Sequence, residues 1–250
     1  MRKMVLCLIG GCALIFVSVF AATIIWACKP PTLDLNGFMP MMYKVDGLMN
    51  VRDCGGWINY EGRSIRTGRI IRSSALNGIQ ADARNFFVET LGVKTELDLR
   101  DEKEVNGATE SPLGPKVRLV LAPSCAYADM GTDAGRLGFS RVFRTMLDER
   151  SYPVVIHCAG GRDRAGCAIF LLNAILGVKE ADLIRDWELS ERLCAKKPKR
   201  FYSKIEGLLE VLAAYPGKDI NDQAVSFVRS LGFSGEDISK FRDLMIVLRK

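Results

Sequence analysis

Histidine is almost absent from this chain: His157 is the single one in 250 residues. Thiol and serine hydrolases of the protease kind need a histidine base that faces the nucleophile. His157 directly precedes Cys158, neighbours on a strand point to opposite faces, and no second histidine exists, so that base is missing. The same scarcity excludes a histidine-rich zinc site. None of the eight cysteines forms a CxxC pair, which removes support for a thiolate metal site or a dithiol redox centre. His157 is therefore read as a core residue whose ring meets a nearby partner and helps shape the adjoining loop.

Repeats, low-complexity stretches and a strong charge bias are also lacking. The formal net charge is +6; without Arg2 and Lys3, 33 basic and 29 acidic residues leave +4, too little to argue nucleic-acid binding. One local basic cluster, Lys196, Lys197, Lys199, Arg200 and Lys204 around Phe201 and Tyr202, suits either an anionic headgroup or plain solvation. Of the five cysteines after Cys28, an odd number, Cys54, Cys125, Cys167 and Cys194 are read as small buried side chains rather than a disulfide framework. A reversible disulfide with Cys158 stays open.

What is present is concentrated in VVIHCAGGRDRAG, residues 154–166. Residues 153–157 form a β-branched apolar run too short for a helix and fit for a buried strand, with Cys158 at its end. Gly160 and Gly161 let successive backbone N–H groups turn inward, and from Ala165 and Gly166 onward CAIFLLNAIL reads as a buried helix. An N–H cluster beside a helix N-terminus is an anion site. Its positive field favours a thiolate over a thiol, so Cys158 could act as a nucleophile without a separate base. Arg164 would clamp two phosphoryl oxygens with its planar fork, and Ala159, Gly160, Gly161, Arg162, Ala165 and Gly166 would line the bound group.

Spacing alone proves little, because 8 Cys and 21 Arg in 250 residues give about 0.7 chance C-x5-R matches. A second match is in fact present at Cys194 and Arg200, CAKKPKR, but it has no glycine, holds a proline and follows a charged helical pattern, as a solvated connector would. Strand before, glycines within and helix after distinguish Cys158.

With those residues in view, the chain resembles the cysteine-dependent phosphatases of the HCxxGxxR signature, and within them the bacterial tyrosine-phosphatase-like branch. NVRDCGG (50–56) matches that branch's NFRDLGG segment, GRIIRSSAL (68–76) its GRLYRSGAL-like strand, and Asp98, Leu99, Arg100 and Glu104 its DLR segment with a following Glu. After the signature, GVKEADLIRDWELS (177–190) and LGFSGEDISKFR (231–242) match two late segments, so the likeness runs from about residue 46 to 248. It implies attack of the cysteine thiolate on phosphorus, a phosphocysteine intermediate and its hydrolysis by water. The leaving oxygen needs an acid. The branch pattern GKDRTG puts that acid at Asp163; the alternative is Asp129 on the SCAYADMG loop, near where dual-specificity relatives carry theirs, or Asp129 is an ordinary loop residue. Two positions depart from the pattern. Arg162 stands where many relatives have Lys, facing a second phosphate or acidic substrate or else solvent. Ala165 stands where most have Thr or Ser, whose hydroxyl helps the sulfur leave.

The start of the chain is of a different kind. Arg2 and Lys3 precede 24 uncharged, mostly apolar residues, and Cys28, Lys29, Pro30 and Pro31 follow, as in a secretion signal or membrane anchor. Ile25, Trp26, Ala27 and Cys28 approximate a lipobox, so cleaved signal, lipoprotein and uncleaved anchor are all open; each leaves the rest of the chain extracytoplasmic (periplasmic, cell-surface or secreted) in a bacterium. Expected domains are 1–28 as this signal or anchor, 29–45 as a linker and 46–250 as the catalytic domain. Predicted strands at 69–72, 94–99, 118–121 and 154–158 alternate with helices at 81–91, 137–149, 166–176, 180–193, 199–215, 222–231 and 235–248. Such alternation indicates an α/β fold with a mostly parallel central sheet flanked by helices and the loop at a strand's carboxyl end. The expected function is a phosphomonoester hydrolase acting on phosphotyrosine proteins, phosphoinositides or inositol phosphates, with no cofactor or metal. The alternative is a slow or inactive phosphate-binding module.

Overall fold

A computed structural model of the chain describes residues 40–194 and 202–247. The apolar start at 1–28 and the basic residues at 196–201 fall outside these, as does the side chain of Cys194.

Five strands form one sheet: β1 (Arg52–Asp53), β2 (Ile70–Ser73), β3 (Thr95–Asp98), β4 (Arg118–Leu121) and β5 (Val154–His157). Their order is β1-β2-β5-β3-β4, with β1 antiparallel to β2 and the remaining pairs parallel. The mostly parallel sheet expected from the alternation is present, and its central strand is the one that ends at Cys158. Register aligns Ser73, His157 and Asp98 across β2, β5 and β3, so three carboxyl ends open at one level.

Alternating side chains divide the apolar material between two layers. Ile70, Leu97, Val154 and Ile156 pack into the larger core with the C-terminal helices, while Ile71 and Val155 pack on the other face with Val51, Leu76, Phe87 and Val93. The second layer holds α1 (Ala81–Asn85), which widens into a π-helical turn at Phe86–Thr90, so the single helix predicted at 81–91 is two segments. Met41 and Tyr43 already hydrogen-bond to Asp53 and Val51, and Tyr43 meets Phe86 edge-on.

The helices that follow are α2 (Glu102–Val105), α3 (Asp133–Met146), α4 (Asp163–Ile175), α5 (Glu180–Cys194), α6 (Tyr202–Ala213), α7 (Ile220–Ser230) and α8 (Gly235–Met245). Several begin before the sequence signal does because caps, not apolar periodicity, set their starts. Thr132 accepts from Gly135 N and starts α3 four residues ahead of the predicted 137; Asp219 accepts from Asn221 N and Asp222 N and starts α7 ahead of 222. β1 and α2 went unpredicted, being two and four residues long and largely polar. The 166–176 prediction also needs correction. The helix α4 begins at Asp163, so Asp163 and Arg164 belong to its first turn.

Candidate active site

Cys158 leaves the end of β5 almost fully buried, and five residues later α4 begins. Gly166 N bonds to Arg162 O, which leaves the N–H groups of Asp163, Arg164 and Ala165 without an acceptor inside the helix. Those groups and the helix dipole favour an anion in front of them. Between Cys158 and the helix, Gly161 takes φ +63°, and a Cβ there would meet Ser73 O at 2.2 Å. Only glycine suits that position.

The loop is held from beneath by buried charge. Gly161 O accepts from Asn50 Nδ2 at 2.6 Å and from Arg72 Nε and NH2 at 3.1 and 2.7 Å. Arg72 NH1 reaches Asp186 Oδ2 at 3.1 Å, and Arg52 Nε reaches Asp186 Oδ1 at the same distance. Arg52 also bonds to Asn50 Oδ1, Asp186 O and Ser190 Oγ. Burial alone would push the Asp186 carboxyl up, but the charges of Arg52 and Arg72 outweigh it and hold the group below the usual carboxylate range. One carboxylate on α5 thus fixes two guanidinium groups from β1 and β2. Asp53 adds a tie between those segments, its two oxygens accepting from Gly55 N and Gly68 N.

Arg164 lies at the mouth. Its NH1 and NH2 meet the two carboxylate oxygens of Glu104, the second at 2.8 Å, which pulls the Glu104 carboxyl down to about 2 and pushes the guanidinium up. That fork uses two of the five guanidinium N–H groups and leaves three for a ligand. Arg72 and Arg164 both interact electrostatically with Cys158. Ala159 is exposed, its O accepting from Ala75 N; Gly160 is half-buried; Ala165 and Gly166 are buried in α4. A buried alanine at 165 offers no side-chain donor toward the loop.

The two candidate acids differ in setting. Asp163 Oδ1 accepts from the Tyr127 hydroxyl and, at 3.2 Å, from Arg162 Nε. Asp129 is exposed on the 3-10 turn Tyr127–Gly131. Arg162 therefore turns toward Asp163 rather than standing as an isolated rim charge.

His157 is fully buried, with Nε2 2.8 Å from Glu96 Oε1 and Nδ1 3.4 Å from Cys158 O. Its place is the satisfied core position that its single occurrence suggested. Glu96, Asp98 and His157 bring donor atoms within 4.8 Å of one another, a spacing able to hold a metal ion. Each is nonetheless already committed: Glu96 also accepts from Ser111 Oγ, and Asp98 holds Arg100 through both oxygens. The described cysteines 54, 125, 158 and 167 are free thiols.

The sequence model of the tyrosine phosphatase family matches residues 43–246. This chain belongs to that family. A provisional tyrosine-protein phosphatase of Cupriavidus necator is 28% identical over 207 residues, covering 68% of this chain and 74% of that protein. A tyrosine-protein phosphatase of Nostoc commune is 23% identical over 191 residues, covering 68% of this chain and 62% of its own length. Among solved structures, the core catalytic domain of the PP-IP phosphatase SIW14 from S. cerevisiae aligns at 15% identity and TM-score 0.40, covering 69% of this chain and 88% of that one. TpbA of P. aeruginosa aligns at 16% identity and TM-score 0.42, with 69% and 96% covered.

The chain is accordingly a phosphatase of the tyrosine-phosphatase type. In this phosphatase Asn50, Arg52, Arg72 and Asp186 lie in segments that match the family pattern, but nothing in those segments alone gives them a role. Their shared task, holding Gly161, appears once β1, β2 and α5 are brought together. Glu96 and Tyr127 carried no signal of their own, since their partners lie 61 and 36 residues away.

Proposed function

We propose that this phosphatase hydrolyses phosphate monoesters through a covalent phosphocysteine on Cys158, with phosphotyrosine proteins as its first substrate class. The observation that carries the proposal is the loop itself: a nucleophile at the strand end, a Gly161 carbonyl fastened by Asn50 and Arg72, and Arg164 in the first turn of the helix. The Cys158 thiolate donates an electron pair to phosphorus, the bond from phosphorus to the ester oxygen breaks, and the leaving oxygen takes a proton from the acid. Water then attacks phosphorus, returning the thiolate and releasing inorganic phosphate. Arg164 and the N–H groups at the start of α4 hold the charge on the equatorial oxygens, where electrostatic stabilisation acts best. Names of the curated relatives favour phosphotyrosine; phosphoinositides and inositol phosphates carry the same monoester chemistry.

Asp163 is assigned as the acid, being fixed in the first helical turn, whereas Asp129 is exposed. The test is phosphate release by the full chain from phosphotyrosine peptides, phosphoinositides and inositol phosphates, followed by phenyl and p-nitrophenyl phosphate with Asp163→Asn and Asp129→Asn. Release from a peptide is expected, with Asp163→Asn lowering kcat/KM by roughly 100-fold for phenyl phosphate and much less for p-nitrophenyl phosphate. Equal small effects of both variants would remove the acid assignment. Tight binding without release would favour the phosphate-binding module instead.

Ala165 bears on the second half of the cycle. Without a hydroxyl to assist the departing sulfur, breakdown of the phosphocysteine is expected to limit turnover, giving a pre-steady-state burst of the alcohol product. Ala165→Thr should raise the steady-state rate by about 10-fold, the worth of one charge-assisted hydrogen bond. No burst in the parent, together with an unchanged rate in the variant, would refute this.

The N-terminal segment is read as a cleaved secretion signal, a lipoprotein signal or an uncleaved anchor that puts the catalytic domain outside the cytoplasm; among the described residues no helix is long and apolar enough to cross a membrane.

A further inference from the structure

Tyr127 joins features that the mechanism treats separately. It begins the 3-10 turn that carries Asp129, yet its hydroxyl donates to Asp163 Oδ1 on α4. Its backbone takes φ +57°, in the left-handed region that a bulky aromatic residue seldom adopts. Outliers of that kind persist where surrounding contacts over-determine them, and they concentrate at functional sites. Here the contacts are identifiable. Tyr127 N donates to the buried Cys167 Sγ at 3.2 Å, and the ring packs edge-on against Trp187 with centroids 6.0 Å apart. Trp187 follows Asp186, the carboxylate that fixes Arg52 and Arg72. The backbone is therefore held in an unusual conformation by the helix that carries the acid and by the helix that braces the loop.

We propose that Tyr127 is a positioning residue for Asp163, fixing the orientation of its carboxyl group toward the leaving oxygen. The inference rests on the reading of Asp163 as the general acid. The charged and titratable groups around Asp163 are Arg162 beside it on the chain, Tyr127 from the 3-10 turn and Cys167 one helical stretch on. Arg162 Nε and the Tyr127 hydroxyl both donate to the same carboxyl oxygen, Oδ1. Cys167 is uncharged at neutral pH, since burial pushes its thiol up to about 12. Removing the tyrosine hydroxyl takes away one of these two donors. It also releases the carboxyl to rotate away from the leaving oxygen.

Tyr127→Phe keeps the ring, its packing on Trp187 and the same backbone requirement, and deletes the hydroxyl alone. In the full chain, kcat/KM for phenyl phosphate, which reports formation of the phosphocysteine, is expected to fall about 10-fold while the rate of phosphocysteine breakdown stays unchanged. p-Nitrophenyl phosphate, whose leaving group needs little protonation, should be almost unaffected. On an Asp163→Asn background the tyrosine substitution should add nothing further. A loss that is the same for both leaving groups, or an additional loss in the double variant, would overturn the assignment of Tyr127 while leaving the phosphatase reading intact. If instead Asp163→Asn leaves phenyl phosphate hydrolysis unchanged, the acid assignment itself falls and the Tyr127 proposal with it.

Discussion

Cys158→Ser is expected to lower phosphate release on every substrate by on the order of 10^4-fold or more, the scale on which a covalent nucleophile is missed. Serine removes the thiolate while keeping nearly the same volume at a site only 3% exposed, so the fold and the bound phosphoryl group should be retained. Two of the other described thiols, Cys54 and Cys167, cannot substitute. Burial pushes Cys167 up to about 12 and raises Cys54 further, so neither supplies thiolate at neutral pH. Steady-state release by parent and variant, alongside binding of a phosphotyrosine peptide to each, checks this. A serine variant that keeps a tenth of the parent rate would mean that water attacks the ester directly and that Cys158 is only a binding residue.

Asp186→Ala should damage stability and activity together. Arg52 and Arg72 are both fully buried, and Asp186 is the carboxylate that pairs with both. Deleting one member of a buried charge network leaves uncompensated charge and costs about 3–5 kcal/mol. Against a total stability of roughly 5–15 kcal/mol for a domain, that is a large fraction. Arg72 would also lose the contact that aims it at Gly161 O, and a misplacement of about 1 Å in a catalytic loop lowers activity around 100-fold. The urea midpoint is expected to fall with little change of slope, and kcat/KM to fall in the protein that remains folded. Midpoint and rate both within twofold of the parent would show that the two arginines find other partners. The pH dependence has a definite sign. Asp186 is held below its usual range when folded, so its stabilisation is fully present above about pH 4 and is lost as pH falls through the folded value. Glu104 acts the same way between its ordinary 4.5 and about 2, but its side chain is 32% exposed and solvent screens much of the effect.

Much of the fold was legible because its signals are local. A β-branched run, two glycines and an apolar helix of consecutive buried residues placed β5, the loop and α4 without reference to distant parts of the chain. Where the signal was local but polar, as in the capping oxygens of Thr132 and Asp219, helix starts were missed by two to four residues. Segments matched by resemblance fared differently. NVRDCGG and LIRDWELS were noticed as patterns, yet nothing in their composition says that Arg52 and Asp186, 134 residues apart, form one ion pair.

The sequence by itself determined that Cys158 would end a buried strand before a glycine turn and a helix, and that neither a histidine-assisted thiol hydrolase nor a CxxC centre is built here. Those conclusions follow from residue types and short spacings, because strand and helix formation and the freedom of glycine are properties of neighbours. Only the tertiary structure decided what holds the loop and what surrounds Asp163: Asn50, Arg72 and Asp186 beneath Gly161, Glu104 against Arg164, and Tyr127 against Asp163. Each of these is a bond between side chains or carbonyls brought together by the sheet and its covering helices. Burial then gives such bonds their strength, since charge taken out of water must be matched by charge from elsewhere in the chain.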